Sequence, residues 1–330
     1  MTRWSLLLTA VCVAVFGACA TSPSAGDTVA AADALEVAEP GDAEVDAGPD
    51  GGAVDALDAA DDGAGGAADD GGADACPDGG WPRRVLLIGN SYTSVNDLAG
   101  TLTAALDGHP CARGAHAFAD AYAPGGYRLP QHLADANDPQ SPLYAKLRDP
   151  AGWDAVVVQD QSQIPGFDRD EEITRRSREA LPGLVTLAHD AGADVYLMMT
   201  WGRRDGDATN AAIFGDYAAM QARLAAGYAD YAAYAIAETG ITVTVSPVGL
   251  AWQAVRDGAG GVASDVAAAH FGGLYASDGS HPSPRGTYLA AATLLATVTG
   301  ASPAVGAATP GGDAGDKPWL DAAADAVTAP

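Results

Sequence analysis

From residue 81 onward, short runs of consecutive apolar residues alternate with longer stretches whose apolar residues recur at helical spacing. Residues 84–89 (RVLLIG) form such a run, ended by glycine, and predict a strand buried on both faces. Residues 153–159 (WDAVVVQ), 194–200 (DVYLMMT) and 241–245 (ITVTV) repeat the pattern, and residues 116–122 add an apolar-alternating stretch. Between them lie helical patterns. Val95, Leu98, Leu102 and Leu106 share one face. Residues 170–189 read as a helix that Pro182 either sits inside or divides. Residues 210–238 form a long Ala-rich helix, 250–256 a short one, and 283–299 a last one with Pro282 near its start. Strands alternating with helices imply a single α/β domain of three α/β/α layers around a mostly parallel central sheet, spanning residues 81–303.

The flanks have a different composition. Residues 1–19 read as a signal peptide: Arg3, an apolar run at 6–16 too short for a bilayer, then Gly17 and Ala18 before Cys19. Cys19 is a lipidation candidate in a lipobox-like setting, and cleavage beside Ala18 or Ala20 without lipid is the alternative. Both imply export. Residues 20–80 are Ala, Gly and Asp with no Lys or Arg, and they carry much of the net charge of −26. Such a segment buries too little apolar surface to offset its ordering entropy, and it predicts a disordered acidic linker. After Ser302 the same composition returns, and residues 304–330 are expected to be a flexible tail, with Trp319 and Leu320 able to touch the domain. No basic run suggests nucleic acid, and any membrane association would come through the lipid anchor alone. Oligomeric state is not encoded in any pattern here. Cys76 and Cys111 are the cysteines left for the mature chain. In an oxidising compartment they can pair, or they can remain two thiols.

In parallel α/β domains, ligands bind beyond the carboxyl ends of the strands. After the first strand comes Gly89-Asn90-Ser91-Tyr92-Thr93. A serine in that turn presents its hydroxyl at the functional rim, with its own N–H turned toward an oxyanion; the alternative is a helix cap. It is not the G-x-S-x-G elbow, because Thr93 occupies the second glycine position. Near the other end lies Asp278-Gly279-Ser280-His281. An Asp and a His three residues apart can supply the base and its orienting acid from one loop.

Together these blocks resemble the SGNH (GDSL-like) hydrolase superfamily, and the GNSYT wording is similar to a bacterial branch that carries Gln in its third block. The resemblance implies a flavodoxin-like fold and an exported serine esterase. Ser91 is then the nucleophile, with Asp278 and His281 completing the triad. It further implies an oxyanion hole from the N–H groups of Ser91 and Gly126 and the side chain of Gln161, in the Gln159-Asp160-Gln161-Ser162 segment. Asn90 stands where the family has Asp, and Gln161 where it has Asn. Neither a metal nor an organic cofactor is implied. The expected substrate is a small-molecule or glycan ester, with polysaccharide deacetylation in view. The alternative is a weak or inactive hydrolase-like module that binds a glycan or an envelope partner.

Tyr92 and Trp201 are candidate substrate contacts, with packing as the competing reading for each. His270 lacks a close Asp and is a poor rival base. His109, His116, His132 and His189 show no metal spacing and read as structural, as do Tyr217, Tyr228, Tyr231 and Tyr234 at helix-like intervals.

Overall fold

The apolar runs pair into one sheet. In chain order, β1 (Arg84–Ile88) leads to α1 (Ser91–Ser94) and α2 (Leu98–Asp107). Next, β2 (Phe118–Tyr122) leads to α3 (Leu129–Asn137) and α4 (Pro142–Leu147), and β3 (Ala155–Val158) to α5 (Glu172–Asp190). Then β4 (Asp194–Met198) precedes α6 (Tyr217–Thr239), and β5 (Val243–Ser246) precedes α7 (Val248–Arg256), α8 (Ser264–Gly273), α9 (Pro284–Thr299) and α10 (Lys317–Thr328). The computed structural model describes residues 76, 80–114, 116–309, 311 and 313–329. The signal segment with Cys19, and the linker apart from Cys76 and Gly80, lie outside the described residues. The described residues all belong to one of the two units into which the chain divides, residues 65–330.

The strand order is β2-β1-β3-β4-β5, and every pairing is parallel. Both faces are covered, which explains why β1 and β3, at the centre of the layers, are continuous apolar runs. Val85, Leu87, Ala155 and Val157 pack with α2, α7, α9 and α10 on one face. Leu86, Ile88, Val156 and Val158 pack with α3, α4, α5 and α6 on the other. The chain leaves β1 toward β2 on one side and returns to β3 on the opposite side. The sheet therefore reverses its winding between β1 and β3, and a crevice opens at their carboxyl ends.

Several expectations shift. The helix anticipated through Val95 breaks, because Asn96 and Asp97 adopt left-handed conformations at φ 57° and 55°. Asp97 then caps α2 through its Oδ1, which accepts from the Gly100 N–H at 2.9 Å. Leu98, Leu102 and Leu106 keep their shared buried face. Of the two readings for Pro182, the structure has the first: the proline sits inside α5, which runs through it undivided. The long helix expected from residue 210 starts at Tyr217, because Asp216 caps it by accepting from the Ala219 N–H at 2.8 Å.

The flexible tail is a clear correction. Residues 317–328 form α10, and Leu320, Ala323 and Ala324 are buried in the core beside α9 and α7. Tyr288 on α9 donates to Asp321 Oδ1 at 2.8 Å, Lys317 pairs with Asp321, and Arg285 pairs with Asp316. The Ala-rich composition concealed an amphipathic stripe whose apolar members are mostly small. The folded domain thus extends beyond residue 303. Cys76 and Cys111 are joined as a disulfide that spans 35 residues of chain.

Because α10 is part of the core, Leu320→Ala should lower the unfolding free energy by about 2–4 kcal/mol, read by urea denaturation. A loose tail would tolerate the change with no measurable loss.

Candidate active site

The turn after β1 is the tightest part of the site. Gly89 precedes it, and a Cβ at Gly89 would overlap Thr93 Oγ1 and Gln159 Oε1. Asn90 is buried and caps α1, its Oδ1 accepting from the Tyr92 N–H at 3.1 Å. The Asn90 Nδ2 donates to the carbonyl oxygens of Tyr127 at 3.1 Å and Asp160 at 3.5 Å. Gln159 completes the frame. Its Oε1 accepts from the Asn90 N–H at 3.1 Å and from Thr93 Oγ1 at 2.9 Å, and its Nε2 donates to Asn90 Oδ1 at 3.0 Å. These contacts suit an amide at position 90. A carboxylate there would face two carbonyl oxygens with no proton to give them.

Ser91 is the first helical residue after this cap, so its N–H has no partner inside the helix. Its Oγ lies 2.9 Å from His281 Nε2, across 190 residues of chain. His281 Nδ1 lies 2.5 Å from Asp278 Oδ2. Asp278 Oδ1 accepts from the backbone N–H groups of Ser280 at 2.9 Å and His281 at 3.0 Å. Partial burial pushes the Asp278 carboxyl up, but the hydrogen bonds from the His281 ring and those two N–H groups, with the imidazolium charge, outweigh it. Its pKa is held below the usual aspartate value. A proton-sharing chain of hydroxyl, imidazole and carboxylate therefore exists in the folded chain. Ser91 and His281 remain partly exposed at the rim.

Gly126 and Gln161 sit in the two segments that Asn90 bonds to. Gly126 occupies the turn after β2 at φ 68°, where the Tyr127 N–H donates to the Pro124 carbonyl at 3.3 Å. That left-handed position suits glycine. Gln161 is buried, and its Oε1 accepts from the Gln163 N–H at 3.0 Å, which fixes the orientation of its amide. Between them lies Asp160, a residue that sequence reasoning passed over. Its Oδ1 accepts from the N–H groups of Leu129 at 3.2 Å and Gln161 at 2.8 Å. Its Oδ2 accepts from Ser177 at 2.5 Å and Tyr231 at 3.3 Å. The signal that was present is a polar pair, Gln159 and Asp160, directly ending a fully apolar strand.

Of the two readings for Tyr92 and Trp201, the structure shows the packing one. Tyr92 is 3% exposed and Trp201 is 0% exposed. Their rings stack at 4.5 Å, and Trp201 stacks in turn on Trp252 at 4.1 Å. Both rings belong to the core cluster that packs against β1 and β3. His270 stacks on Trp319 at 4.0 Å and packs at α10. His132 is buried beside Tyr122 and Tyr127, and burial lowers its pKa to about 4. Among the described residues there is no group of His, Cys, Asp and Glu that could hold a metal ion, and no helix is long and apolar enough to cross a membrane.

No protein-family model and no curated protein sequence matches the chain. Solved structures do. A Bacteroides uniformis protein of a family of unknown function (DUF4886) is 21% identical, with a TM-score of 0.51, and the match covers 73% of this chain and 93% of that one. A Slackia heliotrinireducens protein, named as a candidate SGNH hydrolase, is 29% identical with a TM-score of 0.47, over 64% and 97% of the two chains. A catalytic mutant of an acetylxylan esterase from Geobacillus stearothermophilus is 13% identical with a TM-score of 0.41, over 66% and 94%. The likeness to the Bacteroides protein is one of fold.

Burial raises the Asp160 carboxyl to about 6 despite its four donors. The native state then holds this proton more tightly than the unfolded chain does. Its favourable contribution is complete below about pH 4 and is lost as pH rises through about 6, a loss on the order of 3 kcal/mol. Asp160→Asn should flatten the stability curve across that window, measured by urea denaturation at stepped pH. An unchanged slope would assign the titration to another group.

Proposed function

We propose that the chain is an exported serine esterase of the SGNH type that cleaves esters through an acyl-enzyme. The observation that carries this reading is the unbroken Ser91–His281–Asp278 chain at the sheet's switch point. His281 takes the Ser91 proton as Ser91 Oγ attacks the ester carbonyl carbon. Asp278, ionised and hydrogen-bonded to Nδ1, holds the imidazole in the tautomer that accepts at Nε2 and stabilises the imidazolium. The negative charge that develops on the carbonyl oxygen is received by the N–H groups of Ser91 and Gly126 and by the Gln161 amide. His281 returns its proton to the leaving alcohol. Water, deprotonated by the same imidazole, then attacks the acyl group and frees Ser91.

Two features support Gln161 as a donor despite its longer side chain. The Asp160 carboxyl fixes its backbone N–H, and the Gln163 N–H fixes its amide oxygen. The N-terminal signal pattern and Cys19 support export and a lipid tether. For an enzyme outside the cytoplasm with a small-ester mechanism, the substrate class we propose is a short acyl ester, acetyl above all, on a polysaccharide or glycan.

With p-nitrophenyl acetate, Ser91→Ala should remove hydrolysis above background, and fluorophosphonate labelling should vanish with it. Equal rates in both proteins would sink the enzyme reading. Gln161→Ala should lower kcat by about 100- to 1000-fold with the fold intact; an unaffected kcat would remove Gln161 from the oxyanion hole. A panel of acetylated glycans and longer-chain p-nitrophenyl esters tests the acyl preference, and a preference for long chains would replace the deacetylase reading with a lipase one.

A further inference from the structure

The residue after the nucleophile and the residue before the base are bonded to each other. Tyr92 OH lies 2.7 Å from Ser280 Oγ, across 188 residues of chain. The backbone N–H of Tyr92 is fixed by the Asn90 cap, and its ring packs edge-on to the His281 imidazole at 5.5 Å. Ser280 is held from a second side. Trp201 Nε1 donates to the Ser280 carbonyl at 3.0 Å, and the Arg204 N–H donates to the Gly279 carbonyl at 2.8 Å. The indole that holds Ser280 is the same ring that stacks on Tyr92, and Trp252 backs it.

The structural consequence follows from where the chain is stiff and where it is not. Ser91 rides on a buried turn that is bonded on every side. Asp278 and His281 ride on an exposed loop, whose bonds to Ser91 itself amount to one hydroxyl–imidazole contact. Proton transfer requires that contact to stay within hydrogen-bond range and alignment, and small misplacements are costly in rate. A loop at the surface holds no such tolerance unless something rigid registers it.

We propose that Tyr92 is a positioning residue for the triad: through its hydroxyl bond to Ser280 and the aromatic stack behind it, it registers the Asp278–His281 loop against Ser91. This inference rests on the serine-esterase reading. It gives the tyrosine that follows the nucleophile a task beyond packing. The ring alone would fill the core, whereas the hydroxyl reaches the catalytic loop at Ser280 and also faces Ser162. Burial raises the phenol pKa, so the hydroxyl keeps its proton for that bond at neutral pH.

The test uses the full-length mature protein and four variants: Tyr92→Phe, Ser280→Ala, the double variant, and Ser280→Thr. Tyr92→Phe keeps the ring and deletes the bond. It should lower kcat and the fluorophosphonate labelling rate by about tenfold, with KM changed less than about twofold. Ser280→Ala should do the same. The double variant should be no slower than Tyr92→Phe, because both singles remove the Tyr92–Ser280 bond. Ser280→Thr, which keeps a hydroxyl, should recover most of the rate. Thermal unfolding of each variant separates a loss of fold from a loss of register. A Tyr92→Phe protein with wild-type kcat and labelling overturns the proposal, as does a double variant whose losses multiply to about 100-fold. Wild type that labels no faster than Ser91→Ala would overturn the serine reading itself, and this inference with it.

Discussion

Three strand ends are joined at one buried lattice of amide, carboxyl and backbone groups, and the rim of the sheet takes its shape from it. Asn90, Gln159 and Asp160 are almost fully excluded from water. Each of their polar atoms needs a partner, because an unsatisfied buried donor or acceptor costs about 1–3 kcal/mol. The turns after β1, β2 and β3 satisfy them together. Asn90 reaches the Tyr127 and Asp160 carbonyls, Gln159 reaches back to Asn90 and Thr93, and Asp160 reaches Leu129 and Gln161. The segments bearing Ser91, Gly126 and Gln161 are thereby set relative to one another before any substrate arrives.

The fourth segment is held by a different kind of force. The Asp278–His281 loop contacts the rim through aromatic stacking and a few bonds from Tyr92, Trp201 and Arg204. Behind it, Asn96 donates to the Pro282 carbonyl at 2.8 Å, and Ser283 caps α9. That helix in turn is buttressed by α10. The reacting groups are thus partly exposed, and nearly everything that places them is buried. Such a division suits chemistry that needs both access for a substrate and a fixed geometry.

Much of this was legible in the linear chain. Continuous apolar runs fixed the parallel, doubly covered sheet, since only strands buried on both faces can be apolar at every position. Ser91 after the first run, and Asp278 with His281 on one late loop, stood out because their residue types and positions fit a nucleophile and its base. What the linear chain left open or concealed shares a cause. Trp201 and Tyr92 follow or lie beside strand ends, which is where pocket walls occur, yet each has an aromatic neighbour distant in sequence that buries it. Residues 317–328 looked like tail because their composition is that of the linker, although an α10 stripe of one leucine and several alanines is enough against a helix already in place.

The sequence by itself determined the layering, the rim on which chemistry can occur, and the identities of hydroxyl, imidazole and carboxylate. These follow from local periodicity and from which side chains can carry a proton. Tertiary structure alone decided which polar residues became framework. Gln159, Asp160 and Ser280 acquire their partners from chain 66, 31 and 188 residues away. A hydrogen bond depends on distance and angle in space, and contacts of that separation leave no periodic trace along the chain.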